Sequence, residues 1–319
     1  MVKVIAGLMD LMGSSVASSS AKKGSAEALQ SVLDLLRAHN VTELDTARVY
    51  NGGRSEEVLG EIPEAQKNFT IATKAPGFVP GHLTYDKIMN ACDASLTALK
   101  QEKIDLFYFH GPDRQTPLED SCKAMNDLHK AGKIDRFGIS NFTREEVEEI
   151  HDICQKKDWI LPTVYQGGYN PLSRSAEKEL FPTLRRLNMA FYAYSPLAGG
   201  YFSRTASELR EPPPGSRMDK IKIFKSVYIN DTSLKLQEIL TKACDEAGVK
   251  LKDATLRWLM HHSALASQDA VILGASSTEQ MEQNLKSCEG EPLPESVVAA
   301  FEELFVEYCK AGLTPAYCV

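Results

Sequence analysis

Residues 105–156 read DLFYFHGPDRQTPLEDSCKAMNDLHKAGKIDRFGISNFTREEVEEIHDICQK. Asp105 to His110 and Arg136 to Ser140 have the short, aromatic and β-branched character of strands. Between them, Glu119 to Ala131 has helical spacing, with Ala124, Met125 and Leu128 on one face, as a helix packed on a sheet requires. A capping box, Thr143-Arg-Glu-Glu146, starts the next helix, Arg144 to Lys156. Strand, helix, strand, helix is the unit of a parallel sheet, because parallel neighbours need a crossover to return the chain.

The same unit recurs on both sides. Further strands are expected at Val4 to Ala6, Thr42 to Asp45, Phe69 to Lys74, Thr163 to Gln166, Ala190 to Tyr194 and Ala270 to Gly274, which makes eight. Helical patterns lie between them at Ser25 to His39, Ser55 to Leu59, Thr84 to Lys100, Ala176 to Leu187, Leu234 to Ala247 and Lys252 to His262. Eight alternating units in 319 residues suit an α/β fold of the (β/α)8 TIM barrel type, a single domain over residues 1–319. The competing doubly wound sheet usually carries G-x-G-x-x-G after its first strand, and here that turn reads GLMDLMGSS. One long irregular region, Gly199 to Ser233, separates the seventh strand from its helix and contains Pro212-Pro213-Pro214-Gly215. A lid over the barrel mouth is the expectation for it.

Composition narrows the function classes. Lys and Arg number 36 against 43 Asp and Glu, a net charge of −7, and no basic run tracks a phosphate backbone, so no nucleic-acid partner is expected. No apolar stretch approaches the ~20 residues that span a bilayer. Seven cysteines without a C-x-x-C suit a reducing compartment, and the cytoplasm is the expected location. There is no HExxH and no Cys/His cluster, so no metal is expected.

Polar residues close nearly every expected strand: Asp45, Lys74, His110, Ser140-Asn141, Gln166 and Tyr194. Alone, each has an ordinary structural explanation. In a barrel those ends converge on the face where active sites lie.

Leu44 to Gly60, LDTARVYNGGRSEEVLG, resembles the DTA-x-x-Y-x-x-G-x-SE-x-x-LG signature of the aldo-keto reductases. The resemblance continues through Ala72-Thr73-Lys74, the run ending at His110, Gly138 to Asn141, YAYSPLAGG at 192–200 and Val271 to Gly274. LPTVYQGGYNP, LRWLMHHS and VILGASSTEQMEQNL look most like its aflatoxin-aldehyde reductase branch. The resemblance implies reduction of a small carbonyl substrate by hydride transfer from NADPH, and a catalytic tetrad of Tyr50, Asp45, Lys74 and His110. Residue chemistry agrees with it. A Tyr hydroxyl near pKa 10 is a poor acid until a cation lowers its pKa, and Lys74 held by Asp45 is such a cation. Neutral His110 can hydrogen-bond the substrate oxygen.

The same resemblance implies a cofactor site of Met9, Asp45, Ser140, Asn141, Gln166, Tyr194, Ser195, Leu197, Gly199, Gly274, Ser276, Gln280, Gln283 and Asn284. Tyr194 would stack on the nicotinamide, and Ser140, Asn141 and Gln166 would meet its carboxamide. Gly274 and Gln280 stand where the family more often has Lys and Arg for a 2′-phosphate, which leaves Ser276, Ser277 and Arg217 to hold it. Lys222 aligns with a loop Arg that would meet a substrate carboxylate; three solvated lysines on a loop is the equally open reading. A homodimer is compatible with the resemblance. So is a second function, a nucleotide-sensing regulatory module resembling potassium-channel β subunits, because those subunits can retain the tetrad.

Overall fold

Alternate residues of a strand point to opposite faces, so a closed barrel sends every second side chain inward and the next toward its helices. The computed structural model describes residues 2–9, 22–214, 216–220, 222–313, 315 and 317, and it contains eight parallel strands arranged in this way. They are β1 (Lys3–Gly7), β2 (Glu43–Asp45), β3 (Thr70–Ala75), β4 (Ile104–Phe109), β5 (Ile134–Ser140), β6 (Pro162–Gly168), β7 (Ala190–Tyr194) and β8 (Ala270–Gly274). The strands pair in chain order, and β1 closes on β8 with Lys3 opposite Ala270 and Gly7 opposite Gly274. The expected (β/α)8 barrel is the fold observed.

β4 shows how the sequence divides the core. Leu106 and Tyr108 point into the barrel with Ile5, Val164, Tyr192 and Ile272, whereas Phe107 and Phe109 join the larger core between strands and helices. Gly138 on the neighbouring strand makes room for the inner layer. A Cβ there would lie 2.4 Å from the Tyr108 ring, closer than carbon atoms can approach.

The seam beside β8 is clamped at the end opposite the site. Buried Asp269 pairs with Arg185 and accepts hydrogen bonds from the backbone N–H groups of Phe191 and Ala266, both at 2.7 Å. Both carboxylate oxygens therefore have donors, as a buried polar group requires.

The helix Arg144–Lys156 begins as its sequence requires. Thr143 Oγ1 accepts from the Glu146 N–H at 3.2 Å, and the Glu146 carboxylate accepts from the Thr143 N–H at 2.8 Å. The connection after β7 departs from expectation. It is not irregular but carries a 3-10 turn, Ala198–Ser203, and short helices Ala206–Arg210, Arg217–Lys220 and Lys222–Tyr228 before the helix Asp231–Glu246. Tyr201, Phe202, Leu209, Met218 and Tyr228 anchor it in the core. None of these helices is long enough to display a repeating apolar face, and that is why periodicity missed them. Of the Gly199 to Ser233 region, Gly215 and Ile221 lie outside the described residues, as do residues 10–21 of the first turn.

Among the described residues, no helix is long and apolar enough to cross a membrane.

Candidate active site

The C-terminal ends of the strands bring the expected rim residues together. Asp45 ends β2, Lys74 is one residue from the end of β3, and Ser140 and Tyr194 end β5 and β7. His110 lies one residue beyond β4, and β6 continues two residues past Gln166.

Lys74 is fully buried, and its Nζ donates to Asp45 Oδ1 and to the Thr46 carbonyl, each at 2.7 Å. Burial lowers its pKa, and the Asp45 carboxylate opposes that shift. Asp45 is itself held by Gln166, whose Nε2 donates to Oδ2 at 2.8 Å. The ammonium sits 5.3 Å from the centre of the Tyr50 ring. Tyr50 is carried on a tight turn in which Asn51, Gly52 and Gly53 all have positive φ. The adjacent Gly52-Gly53 pair meets the left-handed requirement at low cost.

His110 packs edge-on to Tyr50, with ring centroids 5.7 Å apart. Its pKa is pushed down to about 3, first by burial and then by the Lys74 ammonium, so the imidazole is neutral at ordinary pH. Phe78 covers its other side at 5.6 Å and rests on Gly111. Phe78 is exposed, as are Val79 beside it and Val49, the residue before Tyr50.

A second chain of bonds crosses the rim. The Tyr194 hydroxyl donates to Asn141 Oδ1 at 2.8 Å, and Asn141 Nδ2 donates to Ser140 Oγ and to the His110 carbonyl. Burial raises the Tyr194 pKa, so its hydroxyl stays protonated. Asn141, Ser195 and Ala198 have φ of 68°, 56° and 50°, followed by Gly199 at 65° and Gly200 at 107°. Mixed right- and left-handed residues of this kind turn backbone N–H groups toward a common concavity that suits an anion. Leu197 lies within the run, and the Phe224 ring covers Gly199, where a Cβ would come within 2.6 Å.

Farther out, Gly274 ends β8, and its carbonyl accepts from Asn284 Nδ2 at 3.3 Å. Ser276 donates twice to Gln280 Oε1, from its backbone N–H at 3.1 Å and from Oγ at 2.8 Å. Ser277 caps the helix Thr278–Cys288. Gln283 accepts from Lys252 at 3.2 Å, a neighbouring cation that sequence reading did not single out. The Met9 carbonyl accepts from Asn51 at 3.4 Å. Lys222 opens its helix and is exposed, while the Arg217 side chain lies outside the described residues.

Sequence reading also gave no role to Glu56 and Arg48. They were visible only as letters of the signature, yet Glu56 is completely buried beside the Tyr50 turn.

A family model described as aldo/keto reductase family matches residues 3–305. The chain is 38% identical to an aldo-keto reductase of Pseudocercospora fijiensis, over 85% of this chain and 95% of that one. It is 39% identical to the oxidoreductase sirO of Leptosphaeria maculans, over 86% and 84%. It is 38% identical to human aflatoxin B1 aldehyde reductase member 4, over 86% and 88%.

Proposed function

The chain belongs to the aldo/keto reductase family, and from that premise we propose that it reduces aldehydes or ketones to alcohols with NADPH, using Tyr50 as the general acid. Dicarbonyls and semialdehydes fall within the proposed substrate class. The observation that carries the reading is the buried Lys74 ammonium, pinned by Asp45 and facing Tyr50 beside a neutral His110.

When bound, the nicotinamide supplies a hydride to the carbonyl carbon, and the remaining tasks belong to the protein. Charge develops on the carbonyl oxygen as the π bond breaks. The neutral His110 imidazole can donate a hydrogen bond there, and the Tyr50 hydroxyl can give its proton to complete the alcohol. A phenolate is then left at Tyr50. Lys74 stabilises it through space, and Asp45 and the Thr46 carbonyl keep the ammonium oriented. Tyr50 recovers its proton from solvent, so one proton and one hydride are consumed per turnover.

The cofactor assignment rests on the chemistry of the rim. Ser140, Asn141 and Gln166 offer amide and hydroxyl groups to a carboxamide, with Tyr194 as the stacking ring and Met9 and Asp45 beside them. Ser195, Leu197 and Gly199 belong to the run of unusual backbone that suits pyrophosphate. At the adenosine end, the carbonyl oxygen of Gln280 accepts from Ser276 twice, which is the bonding a phosphate oxygen would receive there. Arg217 is proposed as the cation that closes on the 2′-phosphate, with Gln283, Asn284 and Gly274 lining the adenosine side. Lys222 is proposed to meet substrates that carry a carboxylate. The reading is of one cytoplasmic barrel domain.

Loss of NADPH absorbance with 4-nitrobenzaldehyde is the direct test. Turnover is expected. Nucleotide binding without turnover on a broad panel of carbonyl compounds would instead favour the regulatory module.

A further inference from the structure

Glu56 occupies the first turn of the helix Arg54–Gly60, with a fully buried side chain. Both of its oxygens are engaged. Oε1 accepts from Thr73 Oγ1 at 2.6 Å and Ser95 Oγ at 2.7 Å, and Oε2 accepts from Arg48 Nη1 at 2.6 Å. A buried carboxylate that is merely structural would serve equally well anywhere with three donors. Here two of the donors lead to separate parts of the candidate active site, and the third ties in the flanking helix.

Arg48 also donates to the Gly53 carbonyl at 3.2 Å, and its guanidinium lies against the Gly53 α-carbon, where a Cβ would come within 2.7 Å. It therefore closes the far end of the turn whose near end is Tyr50. Thr73 precedes Lys74 on β3, so strand alternation sends Thr73 outward to Glu56 and Lys74 inward to Asp45. Ser95 adds the flanking helix Tyr85–Leu99 to the same carboxylate.

We propose that Glu56 is a positioning residue that joins the Tyr50 turn to the Lys74 strand from outside the barrel, fixing the separation of the two side chains and adding a second negative charge behind Lys74. The proposal rests on the reductase reading above and assigns a task to a residue outside the tetrad. Glu56 touches neither the substrate nor the reacting atoms in this role. Its charge favours the protonated form of Lys74 in the same sense as Asp45. Removing a negative charge lowers the pKa of every nearby acid, so the first proton lost by the Tyr50–Lys74 pair should leave at lower pH.

The variants Glu56→Gln, Glu56→Asp and Thr73→Val, with wild type and Tyr50→Phe, test this. Glu56→Gln leaves a carbonyl for the two hydroxyls but turns an amide donor toward Arg48, and it removes the charge. Single-turnover reduction of 4-nitrobenzaldehyde should slow about 10-fold or more, and its alkaline limb should move down by about half a pH unit or more. NADPH affinity by fluorescence titration should change less than about threefold, since the loss is placed in the reacting geometry rather than in uniform binding. Amide exchange in the ligand-free protein should quicken over 46–55. Glu56→Asp keeps the charge, so it should restore the alkaline limb and part of the rate. Thr73→Val should quicken exchange without moving the limb.

A folded Glu56→Gln with wild-type limb and exchange would overturn the proposal. So would equal rate losses in Gln and Asp with neither limb displaced, which marks a merely structural role. If Glu56→Gln does not fold, Glu56→Asp and Thr73→Val decide: slower reduction with faster exchange over 46–55 supports the link, and wild-type behaviour in both rejects it. If wild type reduces no aldehyde while binding nucleotide, the reductase reading fails, and exchange in the ligand-free protein still judges the link.

Discussion

Burial keeps the His110 imidazole neutral, and the sign of the resulting pH dependence is fixed. Its folded pKa near 3 lies below the ~6.5 of an unfolded imidazole, so between those values only the unfolded chain takes up the proton. Stability should therefore fall as pH drops from about 6.5 toward 3, with His110 contributing at most about 1.4 kcal/mol per pH unit. Denaturant titrations of wild type and His110→Asn between pH 4 and 7 measure the contribution. Identical slopes would mean that His110 is protonated as easily in the folded protein as outside it. Tyr50→Phe tests the acid itself. Single turnover should drop at least ~100-fold with nucleotide affinity nearly unchanged, since general acid catalysis is typically worth 10²–10⁴. Near-normal turnover in the variant would remove Tyr50 from the proposed role.

The connection after β7 is the element that joins cofactor and substrate readings. Tyr228 holds it in place through its hydroxyl, 2.9 Å from Ser173 Oγ and 3.3 Å from Asn170 Nδ2. Asn170 also donates to the Ser195 carbonyl at 3.1 Å, so the same anchor reaches the run of left-handed backbone at the rim. Phe224, one turn earlier on the Lys222–Tyr228 helix, covers Gly199. A pyrophosphate approaching Gly199 would meet a segment already docked at one end, which favours a local adjustment over wholesale ordering. Hydrogen exchange across 199–233 should slow when NADPH is added, most strongly N-terminal to the Tyr228 anchor; unchanged exchange would leave the connection a passive insertion. Lys222→Ala should raise KM for succinic semialdehyde while sparing 4-nitrobenzaldehyde. An equal effect on both would dismiss the carboxylate contact.

Across the whole molecule, charge selection of the nucleotide is the property least determined by any one element. The acidic chain offers Ser276, Ser277 and helix Thr278–Cys288 at the proposed adenosine end, with Gln280 where a cation would be the stronger partner. A doubly charged 2′-phosphate needs a cation when it leaves water, so NADPH should bind more tightly than NADH only if a basic side chain reaches it. Arg217 is the one proposed. Fluorescence titration of both nucleotides against wild type and Arg217→Ala is the measurement. Equal affinities in wild type would reject the preference, and a preference retained in the variant would pass the role to another cation, with Lys252, which donates to Gln283, as the next candidate.

The sequence alone determined the barrel and the list of rim residues, because both follow from local chemistry. A period of two in the strands, a period of 3.6 in the helices and the Thr143–Glu146 cap are written in adjacent letters. Asp45, Lys74 and His110 stand out because each ends a strand with a polar group that a core would reject. The short helices after β7 escaped detection, since their burial comes from distant partners such as Ser173 and Asn170 rather than from their own periodicity. Tertiary structure alone decided who holds whom: that Gln166, 121 residues away, secures Asp45, and that Glu56 ties Arg48, Thr73 and Ser95 into one buried cluster. Hydrogen bonds between side chains far apart in the chain depend on strand register and closure, and no local pattern of residues encodes the distance between two strand ends.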